Sequence, residues 1–130
     1  MLPRTVLTRL FLVAFVCYTA FVVTATHWPK LTISGPGHRP DLFVHLGTFS
    51  LWTVLLGLSG LVGRCPKRLV VWAAVFVVAD ETTQPLFDRQ FDWLDLVANF
   101  GGVLIGLLVM RWVWRRWVPE DCPGGDTESA

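Results

Sequence analysis

The sequence predicts an all-α integral membrane protein, built as a bundle of four transmembrane helices. Of its 130 residues, 53% are hydrophobic and only 16% are charged, whereas soluble domains usually carry about 25% charged residues. Four apolar stretches also approach the roughly 20 residues that a helix needs to cross a ~30 Å hydrocarbon core. The chain length indicates a single domain, and a net charge of +1 gives no reason to expect nucleic acid as a partner.

The four predicted helices cover residues of about 8–27, 42–62, 68–84 and 93–114. The second and fourth apolar stretches span a bilayer comfortably, whereas the first and third need flanking residues to complete the crossing. We predict that these helices form one domain, residues 1–118. The remaining tail, 119–130, is acidic and rich in Pro and Gly, a composition typical of a disordered segment.

The first apolar stretch has a second interpretation, a cleaved signal peptide, because Arg4 and Arg9 precede it. The stretch is long for such a peptide, and no A-x-A cleavage site follows it in "TATHWPK". We therefore interpret it as the first span.

The basic residues predict the topology. If all four helices span, eight Lys and Arg residues share one side and three share the other. Cytoplasmic loops carry the excess of Lys and Arg, so we expect both termini in the cytoplasm of a cell whose plasma membrane holds the chain. The majority set is Arg4, Arg9, Arg64, Lys67, Arg68, Arg111, Arg115 and Arg116; the minority set is Lys30, Arg39 and Arg89.

The fourth predicted helix carries a stripe of polar and small residues at spacings of three and four. At about 100° per residue, its members fall within an arc of about 80°. Glycines four apart allow a second helix to approach closely, so the polar groups above them are expected to face protein rather than lipid. The stripe consists of Asp92, Asp95, Asn99, Gly102 and Gly106, and we assign its two glycines to helix packing.

Two other helices bring polar side chains to the same predicted membrane face. Asp41 and His45 are four residues apart at the start of the second helix, so the carboxylate and the imidazole can meet. Glu81 and Gln84 share a face at the end of the third helix, whereas Asp80 points elsewhere.

These side chains predict one outward-opening pocket, with Arg89 above it. Carboxylates crowded in a low dielectric repel one another, so they need protons, a basic partner or a bound cation. His27 and His38 lie in or beside the first outer loop and are expected to be solvated. The predicted ligand-binding set is Asp41, His45, Glu81, Gln84, Arg89, Asp92, Asp95 and Asn99.

The ordered set of motifs resembles the VanZ-like family of small membrane proteins. Asp-x-x-x-His begins at Asp41, Glu-x-x-Gln at Glu81, and Arg-x-Phe-Asp-x-x-Asp-x-x-x-Asn-x-x-Gly-x-x-x-Gly at Arg89. The resemblance covers about Asp41 to Val109. The family often has a lysine after the first aspartate, where this chain has Leu42, so Arg39 or Arg89 would have to supply that positive charge.

The resemblance implies a four-helix protein of the cell envelope, in a family named for a protein linked to resistance to the glycopeptide teicoplanin. It implies a class of protein more than a reaction. The first hypothesis is therefore a binding protein whose pocket engages a lipid-linked cell-wall precursor or a glycopeptide-like molecule, with membrane lipids as its surroundings. An acidic pocket suits a cationic group directly, and a phosphate only through a divalent cation or Arg89.

Two further hypotheses use the same residues. A membrane-embedded hydrolase of a lipid phosphate or cell-wall precursor would use Asp41 and His45 as an oriented general base, and the catalytic candidates are Asp41, His45, Glu81 and Asp95. A divalent cation is a candidate cofactor, with Glu81, Asp92 and Asp95 as its candidate ligands, because hard cations prefer oxygen. A proton- or cation-coupled transporter is the third hypothesis, since carboxylates within a span often relay protons.

Overall fold

The computed structural model describes residues 4–28, 40–87 and 92–117. Within them the chain forms four α-helices and no strand, which confirms the predicted fold class. All four are long and apolar enough to cross a membrane. The predicted acidic tail, Arg89 and His38 lie outside the described residues. The helices are α1 (Arg4–Thr26), α2 (Pro40–Leu58), α3 (Pro66–Thr83) and α4 (Trp93–Trp117), and a 3-10 turn (Gln84–Phe87) follows α3.

Local chemistry explains where the helices differ from the predicted bounds. α2 ends at Leu58 rather than near residue 62, because Gly60 adopts a left-handed conformation with φ +82 that ends the helix. α3 begins with Pro66, whose fixed φ suits the first helical position. It gives way to the 3-10 turn beside Pro85, which has no N–H to continue the α-helical ladder.

α2 and α4 form the closest helix pair, and they run parallel. Neighbours occur in the same order along both helices: His45 beside Asn99, then Leu46 beside Gly102, and Thr53 beside Gly106. A Cβ at Gly102 would overlap the carbonyl oxygen of Leu46, and a Cβ at Gly106 would lie 2.6 Å from the Cβ of Thr53. These two glycines therefore allow the two backbones to come into direct contact.

α1 packs on α2, and α3 packs mainly on α4. Phe15 of α1 meets Trp52 of α2 at a ring-centroid distance of 5.3 Å, and Trp52 stacks on Phe76 of α3 at 4.1 Å. The Trp52 indole N–H also donates a hydrogen bond of 2.9 Å to the Thr19 hydroxyl. Aromatic side chains thus separate α1 from α3 in the middle of the bundle.

Candidate functional site

Buried polar side chains gather at one end of the bundle, where α1 and α3 end and α2 and α4 begin. We call this region the polar end. Burying polar groups within a span is costly unless they are hydrogen-bonded to one another, so the partners of each group indicate how the site is built. Its buried members are Asp80, Glu81, Gln84, Asp95 and Asn99.

Glu81 is the central acceptor of the polar end. Its side chain is fully buried, and its Oε1 accepts the backbone N–H of Asp92 at 3.2 Å. Its Oε2 accepts one hydrogen bond from the Gln84 amide and one from the Asn99 amide, each 3.4 Å long. Because these three groups only donate here, they match a carboxylate that only accepts. Glu81 thereby ties the end of α3 to the first turns of α4.

Asn99 connects Glu81 to His45 through its side-chain amide. Its amide nitrogen faces Glu81, so its Oδ1 faces the Nδ1 of His45 at 2.9 Å. An amide oxygen accepts, so we assign the ring proton to Nδ1 from this network. The other ring nitrogen, Nε2, lies 3.6 Å from Oδ2 of Asp95. The imidazole is therefore held in one orientation, with Nε2 directed at a carboxyl group.

A second histidine–aspartate pair lies between α1 and α3. Asp80 Oδ1 accepts a 2.8 Å hydrogen bond from the Thr26 hydroxyl and lies 3.8 Å from Nδ1 of His27. The other ring nitrogen of His27 lies 2.8 Å from the Thr83 hydroxyl. Thr83 itself donates to the backbone carbonyl of Ala79 at 2.7 Å, and Nδ1 of His27 also lies 2.8 Å from the Val23 carbonyl oxygen.

Gln84 joins the two pairs into one network. Its side-chain amide lies 3.5 Å from Asp80 Oδ2 and 3.4 Å from Glu81 Oε2. A connected set of polar contacts therefore runs from His27 on α1 through Asp80, Gln84, Glu81 and Asn99 to His45 on α2 and Asp95 on α4.

Most of the predicted pocket residues lie in this network, but Asp41 and Asp92 have other surroundings. Asp41 is half-buried, and among the described residues neither a hydrogen bond nor an ion pair joins it to His45. The Asp92 carboxylate accepts the backbone N–H of Leu94 at 2.8 Å and so caps α4. Arg89 was expected above the pocket, and it lies outside the described residues.

The described residues do not fit the divalent cation considered from the sequence. They contain no group of three or more His, Cys, Asp or Glu side chains placed to hold a metal ion. Both oxygens of Glu81 already face N–H donors, and the Asp92 carboxylate caps a helix. A hard cation needs several oxygen ligands at once, and the candidates Glu81, Asp92 and Asp95 do not supply them in this arrangement.

The sequence interpretation missed the contribution of α1. His27 was expected to be solvated, yet both of its ring nitrogens have protein partners and its side chain is only 11% exposed. Asp80 does point away from Glu81, and the structure places it toward α1. The spacing of Asp80 and Gln84, four residues apart, indicates only their contact with each other, and no spacing in the sequence links Asp80 to His27.

An open groove lies beside the second pair. Its volume is about 570 Å³, and its walls come from the last turns of α1 and α3. Nearly all of its surface is apolar, and His27 and Thr83 provide polar groups at one end. The lining residues are Val23, Thr24, His27, Trp28, Phe76, Ala79, Asp80, Thr83 and Phe87.

Comparison with models of known protein families, with curated proteins and with solved structures gives no match.

Proposed function

We propose that this protein is a VanZ-like binding protein of the cell envelope, which holds the polar part of a lipid-linked or glycopeptide-like ligand at its polar end. The observation that carries the proposal is the His45–Asp95 pair, held in place by Asn99 and Glu81. Stability alone does not require such a buried set, because packed apolar side chains would serve a bundle as well. Ionisable groups within a span are functional candidates by default.

The topology of the proposal follows from the basic residues. With both termini in the cytoplasm, the polar end faces the outer side of the plasma membrane, where cell-wall precursors and glycopeptides are met. The ligand would enter from that side or from the outer leaflet.

The chemistry of the polar end favours a ligand group that is cationic or donates hydrogen bonds. Asp95 and Asp80 each face an imidazole, and carboxyl groups accept from ammonium and hydroxyl donors. A bare phosphate would be repelled unless Arg89 approached it. The proposal therefore predicts a preference for amine- or hydroxyl-bearing ligands over simple phosphates.

Equilibrium binding to the purified full chain tests the proposal. Teicoplanin, lysophosphatidylcholine and a polyprenyl phosphate would be titrated against the wild type and two variants of α2. His45→Ala should weaken binding of the preferred ligand at least tenfold. Gly47→Ala is the matched control, because a Cβ at this exposed position meets no atom within 4 Å.

Two outcomes would count against the proposal. One is a wild-type protein that binds none of the three probes. The other is equal affinity of the wild type and His45→Ala, which would place any binding away from the polar end.

The hydrolase hypothesis remains the second candidate, because of the tautomer assigned to His45. A ring with Nδ1–H held by Asn99 leaves Nε2 as its one acid–base nitrogen, as general-base catalysis requires. The version assisted by a metal ion is not favoured, since the described residues form no metal-binding group. Turnover of a lipid phosphate that disappears in His45→Ala would support the hydrolase over the binding protein.

The transport hypothesis draws on the connected network from His27 to Asp95, because carboxyl and imidazole groups in series can relay protons. Proton uptake by proteoliposomes that stops in Glu81→Gln would favour this third function.

A further inference from the structure

The groove between α1 and α3 extends well below the polar end. A second cavity of about 450 Å³ shares Phe76 and Ala79 with it, and extends past Phe15 and Trp52 to Leu61 and Val62 in the connection between α2 and α3. The lower cavity is lined almost entirely by apolar side chains, from Phe15, Trp52, Leu56, Leu61, Val62, Trp72, Val75, Phe76 and Ala79. The groove is thus polar at one end and apolar along the rest of its length.

The floor of the groove is fixed rather than adaptable. Trp52 is 3% exposed and lies nearly parallel to the Phe76 ring, at an angle of 4°. Its indole N–H is bonded to Thr19, which holds the ring against α1. Because the floor is rigid, α1 and α3 cannot close the groove without displacing stacked aromatic rings.

The part of the groove from His27 to Phe15 matches the depth of one leaflet. From His27 to Phe15, α1 descends 12 residues, or about 18 Å at 1.5 Å per residue. Half of a ~30 Å hydrocarbon core is about 15 Å. A lipid with its head at the membrane surface would therefore reach the Phe15–Trp52 level with its chain.

The polar end of the groove has the chemistry of a head-group contact. His27, Thr83 and Asp80 line the groove, and the Asp80 side chain, which is fully buried, lies 3.8 Å from Nδ1 of His27. The carboxyl group favours an ammonium or hydroxyl head and disfavours a bare anion. Since the four spans place the apolar part within the hydrocarbon layer, the molecules that surround it there are lipids.

We propose that the groove between α1 and α3 binds one hydrocarbon chain of a membrane lipid, whose ammonium- or hydroxyl-bearing head lies at the His27–Asp80 pair. This inference deepens the proposed function, on which it rests, by naming the route and the class of its lipid ligand. The chain enters sideways from the outer leaflet, between α1 and α3.

Photolabelling of the full chain in phosphatidylcholine nanodiscs tests the inference. The probe is lysophosphatidylcholine with a diazirine in the middle of its chain, and labelled residues are located by peptide mass spectrometry. In the wild type, the label should concentrate on groove residues of α1 and α3, at least fivefold above the outward faces of the same helices.

Ala79→Trp and Val78→Trp form a matched pair. Ala79 lines both parts of the groove, so a tryptophan there should reduce groove labelling at least fivefold. Val78 is the preceding residue, is 47% exposed and does not line the groove, so its substitution should leave labelling unchanged. Ala79→Leu, with a smaller side chain, replaces Ala79→Trp if the larger variant does not fold.

A second labelling experiment tests the head-group contact separately from the binding of the hydrocarbon chain. His27→Ala should reduce labelling by lysophosphatidylcholine, but not by a diazirine-bearing hydrocarbon without a head group. Equal loss with both probes would show that His27 supports the groove structurally, and would overturn the head-group assignment.

Other results would overturn the proposed binding of a hydrocarbon chain in the groove. Uniform labelling of all exposed helix faces would indicate ordinary surrounding lipid, and cross-links between copies through the groove would identify a second copy of the chain as the occupant. Neither result bears on the proposed function, because that depends on His45 and on titration of the polar ligand. Conversely, groove labelling in a protein whose ligand binding does not depend on His45 would support the hydrocarbon-chain site and contradict the proposed function.

Discussion

The two helix interfaces at the polar end differ in how closely they pack. α2 and α4 touch through backbone, because Gly102 and Gly106 present no side chain to Leu46, Ser50 and Thr53. α1 and α3 are separated by a groove whose floor is aromatic. Both interfaces carry a histidine–aspartate pair, so the same chemistry occurs once beside a closed interface and once beside an open one.

This difference indicates a division of roles. The close α2–α4 contact fixes His45 against Asn99, because a shift between these helices would break a 2.9 Å contact. The open α1–α3 side gives the His27–Asp80 pair a neighbouring space of about 570 Å³. For the proposed binding function, an ordered histidine would favour affinity, because preorganised groups bind more tightly than flexible ones, and an open groove would let a ligand enter. The bundle has both features, an ordered histidine and an open groove, at the same end.

The largest expected effect comes from adding a side chain at the point where the α2 and α4 backbones touch. Gly102→Ala would place a Cβ onto the carbonyl oxygen of Leu46 and 3.0 Å from the backbone nitrogen of Ser50. Backbone cannot move aside as a flexible side chain can, so the helices must separate. We expect a loss of about 3 kcal/mol in the free energy of unfolding, measured by reversible unfolding in mixed detergent micelles.

Gly101→Ala is the control for this prediction. A Cβ at Gly101 lies 3.5 Å from the Leu46 side chain, an ordinary contact, so this variant should be about as stable as the wild type. Equal losses for the two variants would contradict the role of the α2–α4 contact, because the gain in helix propensity from Gly to Ala is the same at both positions.

The second largest expected effect concerns Glu81, which accepts hydrogen bonds from three groups of the polar end. Glu81→Ala leaves the donors of Asn99, Gln84 and the Asp92 backbone without their common acceptor. A buried donor that loses its partner costs about 1–3 kcal/mol, and water entering the vacated space would offset part of this cost. We expect a loss of about 2 kcal/mol in the same unfolding measurement.

Thr82→Ala serves as the comparison for Glu81→Ala, because Thr82 is exposed and its hydroxyl bonds only to carbonyls of its own helix among the described residues. Its stability should change by less than about 0.5 kcal/mol. A Glu81→Ala protein as stable as this control would contradict the central role assigned to Glu81.

The fold could be predicted from the sequence because it depends on segment length and apolarity, which are local properties. The stripe from Asp95 to Gly106 could also be read, since residues three and four apart share a helix face. The helix ends depended on finer features, such as the left-handed Gly60 that ends α2.

The α1 half of the polar end could not be predicted in the same way. Asp80 and Glu81 are adjacent in sequence and therefore project about 100° apart, so they serve different neighbours. Glu81 reaches α4 and Asp80 reaches Thr26 of α1. Which helix each one meets depends on the order of the helices around the bundle, and no local spacing encodes that order. The hydrophobic groove likewise depends on side chains from three helices.

The third largest expected effect comes from removing the hydrogen bond between α1 and Asp80 at the open interface. Thr26→Val keeps the shape of the side chain but removes the hydroxyl that donates to Asp80 at 2.8 Å. A hydrogen bond to a carboxylate contributes about 1.5 kcal/mol, and we expect a loss of that size in the free energy of unfolding. Thr24→Val is the matched control, because the Thr24 hydroxyl contacts the Ala20 carbonyl of α1 as the Thr26 hydroxyl contacts the Val22 carbonyl, but among the described residues it has no contact with Asp80. Similar losses for both threonines would remove the evidence that Asp80 holds the end of α1.

The smallest effect concerns the floor of the groove. Trp52→Phe keeps an aromatic ring near Phe76 and removes the indole N–H that donates to Thr19 at 2.9 Å. Hydrogen bonds between membrane helices contribute about 0.6 kcal/mol on average, so the coupling between Trp52→Phe and Thr19→Val in a double-mutant cycle should be near that value. Because each single variant also changes packing, only the coupling energy isolates the bond. A coupling of zero would mean that stacking alone fixes Trp52, and the floor would then owe its rigidity to the α2–α3 aromatic contact rather than to α1.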